Sequence, residues 1–144
     1  MASYDGMPVR VVALDHVQLA MPPGQEDAAD RFYSDVLGMV PIPKPAPLAA
    51  RGGRWYGAGE VQVHLGVEAD FRPAKKAHPA LRVADFEDLE TRLEAVGAAW
   101  RWDDDLPSVR RIYVDDPFGN RIELIEAPDE GPADGPDDGD HRRT

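Results

Sequence analysis

Four side chains able to ligate a metal fall at matched places in the chain. His16 and His78 lie 62 positions apart, and the segments "VHL" at 63–65 and "IEL" at 122–124 superimpose at an offset of 59, which sets His64 opposite Glu123. Glu123 is the odd residue of its strand: alternation puts Ile122 and Leu124 on one face and Arg121, Glu123 and Ile125 on the other. Within each copy the two polar residues are separated by 48 and 45 positions, and three of the chain's four histidines are used. Such matching is tested first as an internal repeat. If the two copies pack about a pseudo-twofold axis, the first and last strands of each share a curved sheet and their inward side chains converge. Neutral imidazole and carboxylate suit a divalent first-row metal, and four such donors leave open positions on an octahedral ion for substrate oxygens to bind and be polarised. Gln62 shares the strand face of His64 and is an alternative ligand there. Taken singly, each of these residues reads as an ordinary solvated or hydrogen-bonded side chain; their joint placement is what points to a metal.

The elements that must position them follow from periodicity and punctuation. "VRVVALDHVQLAMP" reads as a strand, "EDAADRFYSDVLG" as a helix closed by Gly38, and "RGGRWYGAGEVQVHLGVE" as two strands joined near Ala58, with a short strand before the Pro-broken loop "PIPKPAPL". After the linker "ADFRPAKKA", "HPALRVA" reads as a strand, Asp85 as the N-cap of the helix "FEDLETRLEAV", and Gly97 as its stop. "AAWRW", "VRRIYV" and "NRIELIEA" complete three more strands, the last entered through a type I turn with Asp116, Pro117 and Gly119 at preferred positions. The order β-α-β-β-β therefore occurs twice.

Composition bounds the function. A chain of 144 residues that is 42% hydrophobic can fill one modest core. No apolar run approaches a membrane span and the N-terminus lacks a signal-like pattern, so a cytoplasmic protein with no membrane partner is expected. The absence of cysteine excludes disulfides, thiolate metal sites and Cys nucleophiles. Net charge is −11; the segment 127–144 holds six acidic and two basic residues, leaving 21 acidic against 14 basic in a body of charge −7. That balance argues against a nucleic-acid partner. Residues 128–144, rich in Pro, Gly and Asp, read as a disordered acidic tail outside the domain at 1–127.

Taken together, "LDHVQLAMP", "RFYSDVLGM", "VQVHLG", "HPALRVADFEDL" and "DPFGNRIEL", spread over residues 14 to 126, resemble the vicinal oxygen chelate superfamily, the glyoxalase, bleomycin-resistance and extradiol-dioxygenase group. The resemblance implies an α+β fold of two βαβββ modules, here 9–67 and 77–126, forming a curved mixed sheet cavity. It implies ligands on the first and last strand of each module, at His16, His64, His78 and Glu123, for a divalent cation such as Ni, Zn, Co, Mn or Fe. It also implies a homodimer and a small-molecule substrate.

Several chemistries run on this scaffold. An extradiol-type dioxygenase resembles a two-His, one-carboxylate iron site, here His16, His78 and Glu123; His64 as a fourth ligand would take a position needed for catechol or dioxygen. Glyoxalase I carries a carboxylate that doubles as base where this chain has His64. The reading is therefore a metal-dependent lyase or isomerase acting on a small oxygenated substrate through a metal-chelated enediolate, with Glu123 or His64 as general base. The alternatives are the extradiol-type dioxygenase and a non-catalytic drug- or metabolite-binding protein. Arg54, Trp55, Tyr56 and Arg111 are the expected substrate-binding residues, since an Arg near aromatic rings suits a planar or anionic ligand; Arg82 and Tyr113 border the same region.

Overall fold

The computed structural model describes residues 6–128, and in it the doubled element order becomes two compact units that divide between Arg72 and Pro73. Each unit builds its own four-stranded mixed sheet.

In the first unit the strands are β1 (Val17–Met21), β2 (Val40–Ile42), β3 (Arg54–Ala58) and β4 (Val61–Val67), ordered β1-β4-β3-β2. β1 runs parallel to β4, and the other pairs are antiparallel. Between β1 and β2 the chain forms α1 (Glu26–Asp30), which continues as a π-helical stretch, Arg31–Val36. Ala29, Phe32, Tyr33 and Val36 follow the i, i+3, i+4, i+7 spacing of one helix face, and all four are buried. Val63, Leu65 and Tyr56 of the sheet are buried as well, with Met21 and Met39, and Tyr33 stacks on Tyr56; each large apolar side chain buried in this way contributes ~1.5–3 kcal/mol. Gly38, at φ +68°, turns the chain out of the helix, with Met39 N–H bonded to the Tyr33 carbonyl.

The second unit repeats this plan with β5 (Ala80–Val83), α3 (Leu89–Ala95), β6 (Trp100–Trp102), β7 (Arg111–Asp115) and β8 (Arg121–Glu126), ordered β5-β8-β7-β6. A 3-10 turn, Phe86–Asp88, leads into α3; Phe86, Leu89 and Leu93 are buried on the helical side, and Ile112, Val114, Ile122 and Leu124 are buried on the sheet. The β7–β8 hairpin turns at Asp116: Gly119 N–H returns to the Asp116 carbonyl, and the Asp116 carboxylate accepts the N–H groups of Phe118 and Asn120. The offsets read from the sequence carry the ladder register. Gln18 pairs with His64 on β4, and Ala80, 62 residues on, pairs with Glu123, 59 residues on.

Some local expectations change. β1 begins at Val17, whereas a strand was expected from Val9; Val9, Val11, Val12 and Leu14 are 77–93% exposed. β-propensity alone does not make a strand, and the ladder with β4 reaches back only to the Val17–Val63 pair. The loop "PIPKPAPL" holds one helical turn, α2 (Ala46–Ala49), with Pro45 at its N-cap. Asp85 occupies the position before the 3-10 turn but at φ 54°, with no side-chain capping bond; its backbone carbonyl accepts from Asp88 N–H. Among the described residues no helix is long and apolar enough to cross a membrane. The proposed acidic tail lies, apart from Pro128, outside the described residues.

Candidate functional site

On the first unit, the face of the sheet away from α1 carries an aromatic stack. Trp55 on β3 and His64 on β4 are register partners, and their rings lie parallel with centroids 4.2 Å apart. His16, one residue ahead of β1, stacks on the other side of His64 at 4.1 Å. His64 is thereby buried between the two rings. Burial, reinforced by the adjacent His16, pushes its pKa below the usual imidazole value, so the ring is neutral near pH 7. Its Nε2 bonds Gln62 Oε1 at 3.1 Å, which makes Nε2 the donor and leaves the Nδ1 lone pair free. His16 is held the other way round: its Nδ1 bonds the Asp15 carboxylate at 2.8 Å, leaving Nε2 free. Gln62 is thus a partner of His64.

Alternation sends Arg54 and Tyr56 to the opposite face, and the expectation that they line a substrate site beside Trp55 does not match their surroundings. Tyr56 is fully buried, stacked on Tyr33, and donates its hydroxyl to Asp30 of α1 at 2.6 Å. Arg54 Nε pairs with the same carboxylate at 3.2 Å. Sheet geometry makes the two faces exclusive: neighbours along a strand cannot both point at His64. Trp55 is the one of the three that reaches it.

Lys44, the lone cation between Arg31 and Arg51, donates to the Gly52 carbonyl, and its charge helps to depress the His64 pKa. Gly53 next to it must be glycine: it sits at φ +87°, and a Cβ there would fall 2.2 Å from the Leu65 carbonyl oxygen.

On the second unit, Glu123 of β8 faces the same way as Ala80 of β5 and Tyr113 of β7, its ladder partners. His78, two residues ahead of β5, presents Nε2 to Glu123 Oε2 at 3.6 Å, while its Nδ1–H is tied to the Lys76 carbonyl at 2.7 Å. The other carboxylate oxygen, Oε1, accepts from Arg111 at 2.5 Å, and Arg111 also pairs with Asp103 at 2.7 Å. Arg111, expected as a substrate anchor, therefore already shares its charge between two carboxylates. Asp103 escaped notice because it lies in the loop after β6, and only the fold of the β6–β7 hairpin brings it back.

These donors fit a divalent metal. Two donor atoms about 2.1 Å from a shared ion stand roughly 3.0–3.5 Å apart, close to the separation of His78 Nε2 and Glu123 Oε2. In both His16 and His78 one ring nitrogen is bonded to an oxygen, the arrangement that fixes the tautomer of metal-ligating histidines. Each unit supplies two donors, and within either one, among the described residues, no group of three is present.

The sequence matches the model of the glyoxalase-like domain over residues 18–125. The chain belongs to the glyoxalase-like domain family. This glyoxalase-like protein is 45% identical to a glyoxalase family protein from Bacillus anthracis of known structure, covering 83% of this chain and 98% of that one, with a TM-score of 0.77. Its fold is also that of the fosfomycin resistance protein FosX from Listeria monocytogenes in complex with Mn(II) and a dihydroxypropylphosphonic acid: TM-score 0.65 at 14% identity, covering 81% and 90% of the two chains. A glyoxalase family protein from Enterococcus faecalis follows at TM-score 0.62 and 21% identity, covering 79% and 97%. Comparison with curated proteins gives no match. The glyoxalase-like protein is thus a member of the vicinal oxygen chelate superfamily with two βαβββ modules.

Proposed function

We propose that the two donor pairs, His16 with His64 and His78 with Glu123, serve a divalent metal ion, and that the protein is a metal-dependent lyase or isomerase acting on a small oxygenated molecule. The observation that carries this reading is the tethered pair in the second unit: His78, its Nδ1–H bound to a backbone carbonyl, turns a free Nε2 toward a carboxylate that is otherwise buried. A buried carboxylate is costly without a cationic partner. Arg111 supplies one at Oε1, and Oε2 remains turned to His78. The Mn(II) bound by the distant relative FosX agrees in type with this donor set.

A divalent ion held there would polarise substrate oxygens and so acidify a neighbouring C–H. The chain's own residues would do the rest. His64, neutral because it is buried beside His16, has a single free lone pair, at Nδ1, so it serves either as a ligand or as the proton acceptor. Glu123 Oε2 is the second candidate base. Trp55, stacked on His64, excludes water from one face of the imidazole and fixes its plane. We further propose that the protein works in the cytoplasm as a homodimer, a partner copy covering sheet edges that otherwise invite pairing.

Proton transfer at a carbon next to a polarised carbonyl needs no dioxygen, whereas ring cleavage does. The test is turnover of small hydroxy- and oxo-compounds under anaerobic conditions with Ni, Co, Mn or Zn, in deuterated solvent. Exchange of the C–H next to the carbonyl without oxygen is the expected result. Strict dependence on ferrous iron with stoichiometric oxygen consumption would replace this reading with ring cleavage, and metal binding with no turnover would favour a binding protein.

A further inference from the structure

The face of the second sheet that carries Glu123 also gathers cations in an acidic protein of net charge −11. Three guanidinium groups gather on one ring: Arg101 of β6 lies 4.7 Å from the centre of Tyr113, Arg121 of β8 at 5.7 Å and Arg111 of β7 at 5.8 Å. The ladder dictates this convergence, since Arg101 and Glu123 are the register partners of Tyr113 on its two sides, and Arg121 stands two residues before Glu123 on the same face. His78 meets the same ring edge-on at 5.3 Å, so the cluster adjoins the donor pair.

The three arginines are not equivalent. Arg111 is nearly buried and spends its charge on Glu123 and Asp103. Arg101 and Arg121 have no ion-pair partner among the described residues, and Asp115, directly across the ladder from Arg121, does not pair with it. Arg101 and Arg121 flank Tyr113 from the two neighbouring strands, each within cation–π reach of its ring, a contact worth about 0.5–1 kcal/mol per exposed pair. An oxyanion beside Tyr113 would meet guanidinium groups that no carboxylate among the described residues neutralises and accept their forked N–H groups.

The geometry points to an anion-binding subsite at Arg101, Arg121 and Tyr113 that takes the carboxylate, phosphate or phosphonate-type group of the substrate, beside the His78–Glu123 pair. It rests on the proposed function only in assigning the anion to a substrate; the subsite itself is a property of the second unit. Arg111 is thereby reassigned from substrate anchor to a positioning residue for Glu123.

Inorganic phosphate, titrated calorimetrically into the metal-free full-length protein, is the probe. Nonspecific uptake is disfavoured by the net charge of −11. Saturable binding is expected, with Kd raised about tenfold or more in the Arg101→Gln/Arg121→Gln double variant. Part of the affinity should return in Arg101→Lys/Arg121→Lys, which keeps the charge and loses the fork. Arg110→Gln, whose guanidinium pairs with Glu126 and lies over Phe86 and Trp102, should bind phosphate unchanged. Absence of saturable binding at millimolar phosphate, or equal affinity in the double Gln variant, would overturn the subsite. Mn(II) uptake, measured in parallel, should be the same in the parent and the double Gln variant. Failure of the parent to take up Mn(II) would count against the metal reading and leave the phosphate result intact.

Discussion

Tyr56 donates its buried hydroxyl to Asp30 across 2.6 Å and so ties the centre of the first sheet to the helix above it. Burial first, then the bond to Asp30 and its charge, hold the Tyr56 proton well above the ordinary phenol range. A group whose pKa is raised on folding lends stability that is complete below its unfolded value, here 10.0, and is lost as pH climbs beyond it. Tyr56→Phe is predicted to cost about 1–2 kcal/mol at neutral pH and to flatten the decline of stability above pH ~10. Urea unfolding of parent and variant at several pH values measures both effects. Identical alkaline slopes would show that the hydroxyl does not couple to folding.

The second prediction concerns Trp55, whose indole lies parallel to His64 at 4.2 Å. Occupation of the His16–His64 pair by Co(II) or Ni(II) should quench Trp55 emission through its contact with a ligand. The protein has three tryptophans, and Trp100 and Trp102 lie in the other unit. Trp55→Phe should therefore reduce the metal-dependent part of the signal. Persistence of the full quench in that variant would place the metal away from His64.

The third prediction follows from Arg111, which joins Glu123 and Asp103 at 2.5 and 2.7 Å in a nearly buried setting. Removing one partner of such a network leaves carboxylates without compensation. Arg111→Met should be clearly destabilising, because it leaves the buried Glu123 and Asp103 carboxylates without their cation. Asp103→Asn should lose less, because Arg111 keeps Glu123. Chemical denaturation of the two variants ranks them, and equal, negligible losses would refute the positioning role.

How much of this was written in the sequence depends on the range of the interaction. The repeat offsets that align His16 with His78 and His64 with Glu123 also set the ladder register, because strand alternation and hairpin lengths are local and copy themselves in both halves. The Asp116 turn and the Gly38 exit are equally local. What stayed hidden depended on partners. Val9 to Leu14 have strand-forming composition and no strand to pair with. Arg54 and Tyr56 were grouped with Trp55 by proximity, although alternation along β3 divides them between two faces. Arg111 looked like a free cation until the β6–β7 hairpin returned Asp103 to it.

His16, His64, His78 and Glu123 are proposed as metal ligands, and metal affinity of the purified full-length protein tests this most directly. Saturable uptake of a divalent ion is predicted, as borderline-to-hard imidazole and carboxylate donors would hold it. Elemental analysis combined with Mn(II) or Zn(II) titration should show tight uptake abolished by His78→Ala or Glu123→Ala and weakened less by His64→Ala. A variant with all four residues replaced by alanine that binds metal as tightly as the parent would contradict it.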